Sequence, residues 1–178
     1  MWNDANNNGA VDSGEQGIDG VTVTLLDGSG NPLLDQNGNP ITTTTAGGGL
    51  YQFTNLVPGT YRVRVTTPTG LVSSTGTNGA ASGPVEPGST DFTATGNNRD
   101  HGTASGAFAV SGVVTLTPTG NPDGGGLANQ TVDFGFFRPY QLGDFVWNDA
   151  DNDGTFDSGE LGIDGVLVTL LDSAGNPL

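Results

Sequence analysis

The sequence predicts an all-β protein, an antiparallel β-sandwich. Three observations carry that expectation. Short runs alternate apolar and polar residues, turn-forming dipeptides separate them, and no segment sustains an apolar period near 3.6 residues. Many short alternating strands with a polar outer face are buried most simply by packing two sheets face to face.

Taken in order, Val21-Thr-Val-Thr-Leu-Leu26 is the first alternating run. An eight-residue duplication comes next, Leu25–Pro32 and then Leu33–Pro40, which reads as a lengthened hairpin or loop tolerated at the surface. Leu50–Phe53 is the next candidate strand. In Tyr61-Arg-Val-Arg-Val65 the arginines point one way and the apolar residues the other. Leu71–Thr95, rich in Ser, Thr and Gly, reads as a long surface excursion. Val113–Thr117 and Thr131–Phe137 complete the set. Asn37-Gly38, Pro58-Gly59 and Gly124–Gly126 supply turns.

Composition narrows the function. Nineteen acidic residues face four basic ones, Arg62, Arg64, Arg99 and Arg138, for a net charge of −15. That balance excludes a nucleic-acid partner, whose phosphates need a basic surface, and it disfavours anionic membrane. It favours cations and sets up self-repulsion unless something neutralises the acids. No cysteine is present, so disulfides and thiolate metal sites are excluded. No apolar run approaches the roughly 20 residues needed to span a bilayer, so membrane insertion is not expected. Glycine and proline, 31 and 10 residues, approach the range of disordered chains, but the alternating runs argue for order.

Self-comparison organises the chain. Residues 2–33 match residues 147–178 with 24 of 32 positions identical, at an offset of 145. Residues 1–138 therefore read as one repeat lacking its own first strand. Residues 139–178 read as the opening strand, acidic loop and second strand of the next repeat. Met1 aligns with Val146, which leaves it either an ordinary strand residue of a longer array or an added initiator.

Both copies contain the same twelve-residue acidic stretch, DANNNGAVDSGE and DADNDGTFDSGE. Counted from its first residue, each places oxygen donors in the EF-hand register at positions 1, 3, 5, 7, 9 and 12, with glycine at 6 for the sharp turn. In the first copy these are Asp4, Asn6, Asn8, Ala10 through its carbonyl, Asp12 and Glu15. In the second they are Asp149, Asp151, Asp153, Thr155 through its carbonyl, Asp157 and Glu160. Ca2+ is the expected ion, a hard cation that takes six to eight oxygens. Asp/Asn/Gly clusters also occur as plain turns, but here the whole register is met twice. The flanks are strands rather than helices, so the ion would staple rather than switch.

The segments WNDANNNGAVDSGEQGIDGVTVTLLD, GLYQFTNLVPGTYRVRV and NQTVDFGFF, in that order, resemble the calcium-binding B repeats of the serine-aspartate-repeat surface adhesins. Those repeats are similar to the collagen-adhesin B-type domains. The resemblance covers most of residues 2–137 and restarts near residue 141. It implies a prealbumin-like, immunoglobulin-like sandwich, displayed in tandem at the bacterial cell surface or outside the cell as a stalk that calcium stiffens. It also supports the loop residues named above as ligands. This chain has no lysine, so the Lys–Asn cross-link frequent in B-type domains cannot form. The resemblance implies further calcium sites, for which Asp91, Asn98, Asp100 and Asp133 remain; the residues by themselves read as a solvated acidic loop.

No enzyme is expected. His101 is the single histidine, read as a turn residue in a polar loop, and no G-x-S-x-G or H-E-x-x-H pattern occurs. Asn129-Gln-Thr131 fits a glycosylation sequon, a pattern that arises readily by chance. Trp2 and Trp147, beside the loops, read as core residues. The expected function is a calcium-stabilised structural module whose partners are neighbouring repeats or copies of itself. Two alternatives stand beside it. One is a filament subunit, in which the tail bearing Gln141–Trp147 completes a neighbouring chain by strand addition. The other is an adhesive domain using the Leu71–Thr95 loop, with nothing in it to specify the external ligand.

Overall fold

The computed structural model describes residues 1–74, 100–121 and 127–178. Most of the Leu71–Thr95 excursion, with Asp91, Asn98, Arg99 and Gly124–Gly126, lies outside the described residues. The chain divides into two units, Met1–Pro139 and Tyr140–Leu178.

The first unit holds all the assigned strands among the described residues: β1 (Trp2–Asn3), β2 (Thr22–Asp27), β3 (Thr42–Thr44), β4 (Gly59–Thr66), β5 (Val72–Ser73), β6 (Gly102–Ser105), β7 (Phe108–Ser111), β8 (Val114–Leu116) and β9 (Gly135–Phe137). They form a six-stranded sheet, β3-β2-β4-β7-β6 with β8 also on β4, and a three-stranded sheet, β1-β9-β5. The pairing is antiparallel except between β1 and β9, which run parallel with Trp2 opposite Gly135. The antiparallel β-sandwich expected from the sequence is borne out, with this one parallel strand pair within it. Strands so far apart in sequence need no tight hairpin to join them, so either direction is open to them.

Strand alternation builds the core. Val23 and Leu25 on β2 face Val65 and Val63 on β4, and all four are buried. Phe134, Phe136, Ala109, Val21 and Met1 join them, with Ile18, Tyr51, Phe53, Leu71 and Val132 packed around the edge. Trp2 is buried as expected, and its ring lies so close to Gly135 that a β-carbon there would stand 2.9 Å from it. β8 and β7 share β4 end to end. Where they meet, the Ser111 hydroxyl accepts the Val63 N–H (2.9 Å) that would otherwise lack a ladder partner.

Several boundaries differ from the sequence reading. Leu50–Phe53 is not a strand. Ala46 and Leu50 close a Gly47-Gly48-Gly49 turn by mutual backbone hydrogen bonds, and the segment is then held by side chains. The Tyr51 hydroxyl donates to the Val132 carbonyl (2.7 Å), and the Tyr51 ring lies 6.3 Å from Phe53 and 6.4 Å from Phe134. Of Thr131–Phe137 only the last three residues form ladder. The duplicated octets are two stacked turns of one design: Asp27 and Asp35 each accept N–H groups two and four residues on, and Asp172 repeats it.

In the second unit no strand is assigned. Val168 is 75% exposed and Leu170 54%, whereas their twins Val23 and Leu25 are 0% and 1% exposed. We therefore expect Leu25→Ala to destabilise the protein by about 2–5 kcal/mol and Leu170→Ala by no more than about 0.5 kcal/mol, read by chemical denaturation. Equal effects at the two positions would contradict this division.

Candidate metal centre

β1 leads directly into the first acidic loop. The Asp4 N–H donates to the Phe136 carbonyl on β9 (2.8 Å), and the carboxylate, fully buried, folds back on its own loop. Its Oδ1 accepts the Asn8 N–H (3.0 Å) and its Oδ2 the Gly9 N–H (2.8 Å). Such a tight fold needs left-handed backbone, found at Asn7 (φ +55°) and Gly9 (φ +74°). Glu15 clasps the base of the loop. Its Oε1 accepts the Ala5 N–H (2.8 Å) and its Oε2 the Asp12 N–H (3.0 Å).

The amides at positions 3 and 5 change the character of this copy. Asn6 and Asn8 each donate a side-chain N–H to Asp12 Oδ2 at 2.8 Å, and the Asn8 Oδ1 accepts the Ala10 N–H. Neutral amide donors thus balance part of the loop's own negative charge.

The second loop repeats the backbone design. Asp149 accepts the Asp153 and Gly154 N–H groups at 3.1 and 2.9 Å, and Glu160 accepts those of Ala150 and Asp157 at 2.7 and 3.0 Å. The Asp153 Oδ1 accepts the Thr155 N–H (2.7 Å). Carboxylates replace both amides, and one oxygen each from Asp149, Asp151 and Asp153 lies within 4.8 Å of the others. Two oxygens bound to one calcium at about 2.4 Å each stand no more than about 4.8 Å apart, so this trio fits a single such ion. Asp157 and Glu160 are not in the trio; the Glu160 oxygens already hold two backbone N–H groups and retain lone pairs. Beside the loop, Phe145, Trp147 and Phe156 pack ring on ring, with centroids 4.6–6.2 Å apart.

Asp100, Asp133 and His101 do not form the solvated loop read from the sequence. Asp100 and His101 are fully buried, and Asp100 meets Asp133 in an isolated parallel bridge. The Asp100 N–H donates to the Gly9 carbonyl (2.8 Å), placing it against the first acidic loop. Its Oδ1 accepts the Gly102 and Gly135 N–H groups (3.0 and 2.9 Å), while its Oδ2 has no partner among the described residues. Burial drives the Asp100 carboxyl up to about 8, against two hydrogen bonds that favour the anion and with Asp4 and Asp133 nearby adding to the rise. Asp133 is raised to about 6 by burial, opposed by the terminal amine and His101. Sequence reasoning missed this cluster because only the chain's return past Gly9 and Gly135 brings it together.

Fold and loops define a class: a β-sandwich repeat whose opening strand carries an acidic oxygen-donor loop tied to the last strand of its sheet. The SdrD B-like domain family matches residues 1–106 and 140–178. Serine-aspartate repeat-containing protein D of Staphylococcus aureus (strain Newman) is 38% identical over 180 aligned residues, covering 100% of this chain. Serine-aspartate repeat-containing protein F of Staphylococcus epidermidis (strain ATCC 12228) is 37% identical over 178, covering 99%. The chain spans 11% and 9% of the length of those relatives. This chain belongs to the SdrD B-like domain family.

The raised Asp100 pKa has a pH consequence in chelator. A carboxyl raised from 3.8 to about 8 on folding stabilises fully below its unfolded value, and that contribution fades as pH rises toward 8. Denaturation midpoints should fall between pH 4 and 8, and Asp100→Asn, which keeps the Oδ1 acceptor, should flatten the slope. An unchanged slope in that variant would remove Asp100 as its source.

Proposed function

We propose that both acidic loops bind calcium and that the chain is a calcium-stiffened structural repeat, part of the stalk of a bacterial surface adhesin displayed outside the cell. The observation that carries this is the convergence of the Asp149, Asp151 and Asp153 oxygens within 4.8 Å on a loop already closed by Glu160. Like charges gathered this closely repel unless a cation joins them. Calcium suits the site better than magnesium, which demands near-ideal octahedral geometry and keeps several of its waters. In the first copy, Asp4 joins the loop to β9, so an ion held by Asp4, Asn6, Asn8, Asp12, Glu15 and the Ala10 carbonyl would stiffen the sandwich itself. Family membership supports the stalk role. Among the described residues no helix is long and apolar enough to cross a membrane.

A second reading rests on the exposed apolar segment of the second unit. Val166, Val168, Leu170 and Leu171 are exposed although their twins Val21, Val23, Leu25 and Leu26 are buried, so residues 140–178 carry an apolar segment available for strand addition to a further repeat or another copy. If chains join this way, sedimentation velocity of the full chain will show concentration-dependent oligomers that vanish when residues 140–178 are removed. A size independent of that segment removes this reading.

Calcium should raise the melting temperature and chelator should cancel the rise. At free ion 100-fold above the dissociation constant the stabilisation is about 2.7 kcal/mol. The five-carboxylate second loop should bind more tightly than the three-carboxylate first, so Glu160→Gln should abolish the tighter calcium transition and Glu15→Gln the weaker. Identical melts with calcium and chelator would refute the calcium role, and the reverse order would refute the ranking.

A further inference from the structure

Two of the four arginines stand on the outer face of β4, Arg62 and Arg64, two residues and so about 6.7 Å apart along the strand. They line an open groove of 610 Å3 with Leu26, Phe108, Val110 and Ser111. The Arg62 Nε donates to the Gly28 carbonyl (3.2 Å) and its Nη1 reaches the Ser111 carbonyl at 3.4 Å. The Arg64 guanidinium carbon lies over the Phe108 ring, 4.5 Å from its centroid, and its Nε is buried without an acceptor among the described residues. Among the described residues neither guanidinium has a carboxylate partner, in a chain with 19 acidic residues.

Two cationic side chains rooted on successive same-face positions draw anions to the groove, and the Arg64 Nε has no acceptor among the described residues. The Phe108 ring, 4.5 Å from the Arg64 guanidinium carbon, restricts that side chain, so less rotamer freedom remains to be lost on binding. The geometry points to an oxyanion-binding groove on β4, in which Arg62 and Arg64 together receive one carboxylate or phosphate group. The rest of the molecule decides the size of the ligand. Charges are screened beyond about 8 Å at physiological salt, so a compact anion meets mainly the two arginines. A long polyanion would run over surroundings that give the chain its −15 and be repelled. The ligand class is therefore a compact carboxylate or phosphate monoester. This groove is independent of the calcium loops and stands or falls without them.

The chain has four arginines, so its Nε–Hε region in a proton–nitrogen NMR spectrum holds four cross-peaks. The full chain is titrated with acetate, methyl phosphate or polyglutamate at constant calcium and ionic strength. Acetate or methyl phosphate should move the Arg62 and Arg64 peaks saturably and leave exposed Arg138 in place. Whichever saturates at lower concentration assigns the carboxylate or phosphate source. Arg64→Gln should abolish the saturable shift at Arg62. If that variant loses its spectral dispersion, Arg62→Lys, which keeps the charge and removes the planar fork, should abolish the shift at Arg64. No movement, or linear movement shared equally by Arg138, overturns the groove. Saturation by polyglutamate at lower carboxylate concentration than acetate overturns the compact-ligand assignment.

Discussion

The first unit ties its acidic loop to its sheets at Asp4, a buried carboxyl. Asp4 turns its side chain onto Asn8 and Gly9 and its backbone N–H onto β9, so the acidic loop and the three-stranded sheet share one residue. A carboxyl group with no exposure is tolerated because the Asn8 and Gly9 N–H donors replace the water it has lost. The arrangement couples the loop to the sandwich. Any tightening or loosening of the twelve-residue turn acts at the edge where β1 meets β9, and β9 carries Phe136 into the core.

That coupling brings an electrostatic load. Asp100 comes against Gly9 through its backbone N–H, and burial, with Asp4 and Asp133 nearby, raises its carboxyl to about 8. Asp133 and His101 crowd the same region, and the terminal amine of Met1, itself lowered by burial, donates to Gly49. The fold thus concentrates titrating groups where the acidic loop joins the sheets. The two loops differ in charge: in the first the amides of Asn6 and Asn8 donate to Asp12, whereas the second gathers carboxylates at both of those positions.

Much is legible in the sequence alone. The alternation in β2 and β4 marks both strands and the outward arginines, and the positional register marks both acidic loops, because these are properties of neighbours in sequence. Leu50–Phe53 misleads for the opposite reason. Its alternation reflects Tyr51 and Phe53 anchored by ring contacts and one hydroxyl, with the backbone in no ladder. β1, β3, β5, β6 and β7 carry no clear alternation, being two to four residues long and dependent on partners elsewhere. Asp100 and His101 look like polar loop because nothing near them in sequence reveals that Gly9, Asp133 and Gly135 come to meet them.

The repeated segment separates local from tertiary information within one molecule. Residues 2–33 and 147–178 build the same acidic loop, the same clasp by Glu15 or Glu160, the same bridge from tryptophan to glycine and the same aspartate turn at Asp27 or Asp172. Sequence by itself determined these, since every such bond closes within the segment and needs no outside partner. Whether Val-x-Val-Thr-Leu-Leu becomes a strand was decided elsewhere. In the first copy β4 and β3 supply ladder partners and the core supplies an apolar face, and β2 forms. In the second the same letters stay outside any ladder, because a strand is completed by hydrogen bonds and burial that only another part of a fold can provide.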